Sequence, residues 1–157
     1  MANLPSIEKI PEAYSVIADG RIEMGEGTAK VYSSDRSKFY TVKWRGDTYS
    51  SNDNSSYWHS VIGYPIIAVL MKQGKLPLDL TVADKFRDIP WNKLNKRFGN
   101  NYSEALSEAY RNIAVKGINL TPIQEAIKIC YTALSTLDIV IKRGSIRPPK
   151  ANNESES

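Results

Sequence analysis

Three short runs of β-forming residues, separated by polar turns, constrain the fold of this 157-residue chain more than any other feature. The runs are rich in Val, Tyr, Phe and Thr, which strands prefer, and they are Thr28–Ser33, Lys38–Trp44 and Asp47–Ser50. Residues 34–37 form a four-residue loop, and Arg45-Gly46 is short enough for a two-residue turn. The pattern therefore predicts a three-stranded antiparallel β-meander.

The loop lengths also predict which side chains share a face of this meander. We pair Ser33 with Lys38 in the first hairpin and Trp44 with Asp47 in the second, because directly opposed residues lie on one face. The predicted core face then carries Ala29, Val31, Tyr40, Val42 and Tyr49. The opposite face carries Lys30, Tyr32, Phe39, Thr41, Lys43 and Thr48. A slip of one residue would exchange the two sets.

Helix signals lie on both sides of the meander. Pro11–Asp19 is expected to be helical with Gly20 as its end, and a second helix runs from Pro65 to Gly74. Four further helices are predicted at Val82–Asp88, Trp91–Phe98, Ser103–Lys116 and Pro122–Arg143. We expect Thr121 to cap the last helix and Gln124 to complete a capping box. Its apolar stripe is Ile123, Ile127, Cys130, Leu134, Leu137 and Ile141.

These elements predict an α+β fold: a three-stranded meander plus a helix, followed by an all-helical C-terminal half packed in the same domain. We divide the chain into residues 1–76, 77–147 and a polar tail, 148–157, which is expected to be disordered. Asn52–Ser56 is a loop by composition.

Cysteine and histidine usage excludes several classes of protein. Cys130 and His59 are the single residues of their types, so the chain can form no intramolecular disulfide and cannot supply four N or S ligands to a structural zinc ion. The start of the chain lacks the features of a signal peptide, and the apolar run 66–71 is too short to cross a bilayer. We expect a cytoplasmic protein that uses no cofactor and contacts no membrane.

The stretch from Lys30 to Gly74 contains a strand pair, a polar loop and an aliphatic helix in a characteristic order. It includes Thr48-Tyr-Ser-Ser-Asn-Asp53 and, after the polar loop, Gly63-Tyr-Pro-Ile-Ile-Ala-Val-Leu70. In this order the stretch resembles a SWIM domain, a small ββα module in which a Cys-x-Cys and a Cys-x-His share one zinc ion. In Val31-Tyr-Ser-Ser-Asp35 and Asn52-Asp-Asn-Ser-Ser-Tyr-Trp58, the sequence is also similar to small SWIM-like proteins of crenarchaea and their viruses, which would place it in a host cytoplasm.

The resemblance implies a zinc site that has lost its ligands. The Cys-x-Cys positions correspond to Tyr49 and Ser51, and the Cys-x-His positions to Gly63 and Pro65, none of which is a zinc ligand. Structural zinc supplies roughly 10 kcal/mol or more of folding free energy in small peptides. Packing must replace that contribution, and Tyr49 on the predicted core face is the candidate for the vacated centre. We therefore expect a metal-free protein that folds in the presence of a chelator.

Two groups of basic residues are candidates for nucleic-acid binding. The second face of the meander places Lys30 and Lys43 among Tyr32 and Phe39, with Arg45 in the adjoining turn, and exposed aromatics stack on bases while cations neutralise phosphates. A second group, Lys93, Lys96 and Arg97, shares one face of a predicted helix. The alternative is that a helix covers the aromatics and that the second group is a solvated helix face.

Two further functions stay open. Tyr57 and Trp58 would anchor a protein partner or a second copy of the chain in an interaction or structural module of a virus or mobile element. Asp35, Asp47 and Asp53 would hold Mg²⁺ in a nuclease, although aspartate is also ordinary in turns. The sequence favours a non-catalytic nucleic-acid-binding or adaptor module and does not distinguish DNA from RNA.

Overall fold

A computed structural model describes residues 3–150; the last seven residues of the predicted tail lie outside the described residues. The described chain has an α+β fold, as predicted. Its elements are α1 (Lys9–Asp19), β1 (Ile22–Met24), β2 (Thr28–Tyr32), β3 (Phe39–Arg45), β4 (Thr48–Ser51), α2 (Asn54–His59), α3 (Tyr64–Lys72), α4 (Leu80–Asp84), α5 (Trp91–Arg97), α6 (Tyr102–Val115), α7 (Thr121–Thr136) and β5 (Val140–Ile141).

The five strands form one sheet in the order β1-β2-β3-β4-β5. The first three pairs are antiparallel, and β4 pairs with β5 in parallel. The predicted meander is therefore the centre of a larger sheet, and the prediction of three strands was wrong at both edges. The predicted core face is confirmed, because all five of its side chains are buried: Ala29, Val31, Tyr40, Val42 and Tyr49.

The predicted turn of the second hairpin was wrong by one position. Arg45 pairs with Thr48, so the two-residue loop is Gly46-Asp47. Gly46 has a φ of 59°, and a two-residue hairpin loop favours glycine at its first position for that reason. Trp44 consequently pairs with Tyr49. Because the register moves by two residues, Tyr49 keeps its predicted face.

The long C-terminal helix ends seven residues earlier than predicted, at Thr136 instead of Arg143. The Thr136 hydroxyl donates to the carbonyl of Ala133 at 2.9 Å, and Leu137 turns to extended backbone. Ile139, Val140 and Ile141 are β-branched, which favours a strand, and the Val140 N–H donates to the Asp47 carbonyl at 2.9 Å. A short strand paired with the open edge of β4 thus forms in place of the last two turns of the predicted helix.

The predicted loop at Asn52–Ser56 and the predicted cap at Thr121 were also wrong. Asn52–Ser56 is not all loop, because Asp53 accepts a hydrogen bond from the Ser56 N–H at 3.2 Å and so caps the short helix α2. At α7, Thr121 is the first helical residue and makes no side-chain cap; Asn119 accepts the Thr121 N–H at 3.1 Å. The remaining predicted helices agree with the structure to within a few residues at their ends.

The helix α3 is the centre of the core, since every residue from Tyr64 to Met71 is buried. It contacts strands β1, β3 and β4 as well as helix α1, and α1 in turn packs on α4 and α7. Residues on both sides of the expected boundary at residue 76 therefore contribute to one continuous core. Within residues 3–150, no helix has the length and apolar character to span a membrane.

Candidate nucleic-acid interface

The second face of the sheet, here called the outer face, is open to solvent. Lys30, Phe39, Lys43 and Arg45 are exposed and Tyr32 is half-buried, so no helix of the described residues covers the two aromatics. Strand alternation produces this face, because successive side chains of β2 and β3 point to opposite faces and the residues between these are buried or half-buried. The predicted alternative, in which a helix covers both rings, is therefore wrong.

Tyr32 and Phe39 form an aromatic pair on the outer face. They are directly opposed in the β2–β3 register, and their ring centroids lie 5.8 Å apart. The ammonium of Lys30 lies 5.0 Å from the centre of the Phe39 ring, and Phe39 keeps 42% of its surface exposed. The Tyr32 hydroxyl donates to the Glu23 carboxylate at 3.2 Å, which fixes the tilt of its ring. The pair thus offers an apolar platform with a cation above it.

A basic cleft continues the outer face toward β5. It measures about 280 Å³, and among residues 3–150 its lining includes four cations, Lys43, Arg45, Lys142 and Arg143, and no carboxylate. The β4–β5 pairing brings the two distant cations there, since the Lys142 N–H donates to the Tyr49 carbonyl at 2.8 Å. The predicted helix Pro122–Arg143 would place Lys142 and Arg143 at its C-terminal end, where cations offset the helix dipole, so neither was predicted at this site.

Arg143 is held in place by the residues that were predicted to anchor a partner. Its Nε donates to the Tyr57 carbonyl at 2.9 Å, and its guanidinium lies 4.8 Å from the Tyr57 ring centre and 5.4 Å from that of Trp58. Tyr57 is only 9% exposed, whereas Trp58 is 52% exposed. Of the two predicted partner residues, Trp58 alone presents a large surface to solvent.

The second predicted basic group lies beside the β2–β3 loop. Lys93 and Lys96 line a groove of about 500 Å³ together with Ser34, Asp35 and Ser37. The Asn92 N–H donates to the Ser34 hydroxyl at 3.0 Å, which joins α5 to this loop. Arg97 instead stacks on Phe98, at 5.1 Å from the ring centre. The structure thus brings two of the three predicted cations to one groove, which also contains a carboxylate.

Tyr49, the first of the four positions compared with zinc ligands, is completely buried at 0% exposure. Its hydroxyl donates to the Gln73 side chain at 2.7 Å and accepts from the Lys75 ammonium at 2.9 Å. Its ring stacks on that of Trp44 at 6.2 Å. The hydroxyl of this tyrosine both donates and accepts, and its ring fills the interior between the sheet and the end of α3.

Ser51 and Gly63 both face the carboxylate of Asp53, which is 1% exposed. The Ser51 hydroxyl donates to Asp53 Oδ1, and a Cβ added at Gly63 would overlap Oδ2 and lie 2.8 Å from Cγ. Burial raises the pKa of the Asp53 carboxyl, against the hydrogen bonds from Ser51 and Ser56 that lower it. Position 63 therefore admits only glycine while this carboxylate is in place. Pro65, the fourth position, is buried in the first turn of α3.

Two of the three aspartates considered for Mg²⁺ accept local hydrogen bonds through their side chains. Asp35 accepts the Ser33 hydroxyl at 3.0 Å and the Ser37 N–H at 2.9 Å, and the Ser37 contacts hold the pKa of its carboxyl below its ordinary value. Asp53 caps α2, and Asp47 is exposed in the β3–β4 turn. Within residues 3–150, no three His, Cys, Asp or Glu side chains gather as a metal-binding group.

A buried charged cluster, absent from the sequence predictions, joins α1 to α5 and α6. The Lys9 ammonium lies 3.7 Å from Glu12 Oε2 and 3.9 Å from the centre of the Tyr102 ring. Asn95 donates to the same Glu12 oxygen at 3.4 Å. Burial raises the pKa of Glu12, and the charge of Lys9 opposes that rise. The carboxylate accepts the hydrogen bond from Asn95, whereas the Lys9 ammonium and the Asn95 Oδ1 are buried with no hydrogen-bond partner among the described residues.

Comparisons with known proteins return one family. No curated protein and no solved structure matches this chain. A family model matches residues 2–140, which is most of the chain and includes the outer face from β1 through β4. The protein therefore belongs to the family described as uncharacterised conserved protein UCP014422.

Proposed function

We propose that this protein is a non-catalytic nucleic-acid-binding module and that the outer face is its binding surface. The single observation that carries the proposal is the open aromatic pair with a lysine beside it, next to a cleft lined by four cations. Bases stack on exposed aromatic side chains, and Lys and Arg neutralise phosphates. The protein's formal net charge of +4 also favours a polyanionic partner.

Equilibrium binding to a fluorescein-labelled 12-nucleotide strand tests this proposal. We expect Lys30→Ala/Lys43→Ala to weaken binding and to lower the slope of log K against log salt by about 1.4, because each phosphate contact contributes roughly 0.7 for single strands. The control is Lys116→Ala/Lys128→Ala, which removes an exposed cation just after α6 and another within α7, and thus the same net charge. Equal losses in the two double variants, or no binding by the wild type at low salt, contradict the proposal.

We further propose that β3, β4 and α3 form a SWIM-like module that has lost its zinc. The packing around the four corresponding positions supports this idea, since Tyr49 is buried and the Asp53 carboxylate lies against Ser51 and Gly63. A carboxylate and an aromatic ring would then do by hydrogen bonding and packing what a metal ion does by coordination.

An interaction module is the second candidate function, and the exposed Trp58 favours it. Tryptophan is enriched among residues that dominate protein interfaces, and this ring is 52% exposed while resting on the Arg143 guanidinium. Trp58→Ala should then change the sedimentation coefficient of the protein or its retention of a partner. Unchanged sedimentation and partner retention would remove this candidate.

A further inference from the structure

We infer that the outer face binds single-stranded nucleic acid, with a base on Phe39 and the neighbouring phosphates in the basic cleft. This inference rests on the proposed function and assigns its substrate class. It adds Lys142 and Arg143 to the interface, residues that reach the outer face only through the β4–β5 pairing.

The aromatic pair selects a single strand. In a duplex the flat faces of the bases are covered by their neighbours, so a side chain on an open sheet can stack only on a base that is unpaired. Phe39 is 42% exposed at the end of β3, and the Lys30 ammonium, which lies over its ring at 5.0 Å, would move aside as a base stacks there and contact the phosphate of that nucleotide. Among residues 3–150, this face consists of strands of the five-stranded sheet and not of a helix of the kind that enters a major groove.

The basic cleft is placed to bind the next phosphates. Phe39 and Lys43 are four residues apart on one strand, which is about 14 Å at roughly 3.4 Å per residue. A strand stacked on Phe39 therefore reaches the cleft within a few nucleotides. Thr48 and Ser50 add hydroxyl groups to the lining beside the four cations.

The cleft is also preorganised. The Arg143 guanidinium is held by the Tyr57 carbonyl and two aromatic rings, so its position is fixed before any ligand arrives. Gly144 lets the chain pass close to β4, because a Cβ there would lie 3.2 Å from the Ser50 hydroxyl oxygen. These contacts keep the wall that carries Lys142 and Arg143 against the sheet.

Four labelled probes separate base stacking on Phe39 from phosphate binding in the basic cleft: dT12, U12, a 12-bp duplex and a 12-mer of abasic phosphodiester units. We expect dT12 or U12 to bind at least tenfold more tightly than the duplex. The tighter of these two probes shows whether the protein prefers DNA or RNA. Phe39→Leu should weaken binding to the base-bearing strands roughly 5- to 150-fold, the range for loss of one stacked base, and leave the abasic strand unaffected.

Arg45→Ala/Lys142→Ala should weaken binding to the base-bearing and abasic strands alike and lower their salt slopes by about 1.4. Lys116→Ala/Lys128→Ala is again the charge-matched control, and thermal melting verifies that each variant is folded. Equal binding of duplex and single strand overturns the inference, as does a cleft variant that behaves like the control. Absence of binding to all four probes instead contradicts the proposed function itself.

Discussion

Gly63→Ala should destabilise the protein through one carboxylate. The backbone at Gly63 is extended, with φ −94° and ψ 170°, so alanine meets no conformational penalty there. Its Cβ would, however, overlap Asp53 Oδ2, and the carboxylate must move away from Ser51 and from the Ser56 N–H. The whole cost therefore comes from the contacts that Asp53 loses.

The size of that cost follows from those contacts. Loss of the α2 cap costs about 1 kcal/mol, and loss of a hydrogen bond to a buried charged group costs about 1.5–3 kcal/mol. Replacing glycine returns about 0.4–1 kcal/mol by restricting the unfolded chain. We expect a net loss of about 2–3 kcal/mol, or about 4–12 °C in Tm for a domain of this size.

Chemical denaturation of a double-mutant cycle measures the effect. In the Asp53→Ala background the carboxylate is absent, so adding Gly63→Ala should be neutral or stabilise by up to about 1 kcal/mol. If Gly63→Ala costs the same with and without the Asp53 side chain, the overlap is not the cause and the reasoning is refuted.

Two other predictions concern the same region. Asp53→Asn keeps the shape of the side chain but cannot ionise. Burial raises the pKa of Asp53 above its ordinary value of 3.8, so the stability of the wild type should fall as the pH rises from about 4 through the raised pKa. The free energy of unfolding of Asp53→Asn minus that of the wild type should therefore increase with pH in urea titrations between pH 4 and 8, and a constant difference would contradict it. Dialysis against EDTA should leave Tm unchanged, because the hydrogen-bonded side chains of Tyr49 and Asp53 occupy the positions compared with a zinc site. A fall in Tm that added zinc reverses would show that the protein depends on the metal.

The first hairpin could be predicted from sequence because its determinants are local. The Ser34–Ser37 loop sets the β2–β3 register, and alternation then decides which residues face the core and which face solvent. The outer face with Lys30, Tyr32 and Phe39 follows directly from these two facts. Whether a helix would cover that face depended on long-range packing, which no local pattern reports.

The basic cleft could not be predicted because it depends on a contact between distant parts of the chain. Leu137 and Ile141 continue the apolar stripe of α7 at helical spacing, so the sequence favours a longer helix. Pairing with the open edge of β4 outweighs that preference and carries Lys142 to Lys43 and Arg45. The run of β-branched residues, 139–141, is the one signal that indicated a strand.

The most direct test of the account is a map of amide chemical-shift changes as dT12 is added to the isotopically labelled protein. We predict that the largest changes lie on the outer face and the basic cleft, at Lys30, Tyr32, Phe39, Lys43, Arg45 and Lys142. Changes centred instead on α6 and α7, or no changes at low salt, would contradict the claim that the open face of the sheet binds nucleic acid.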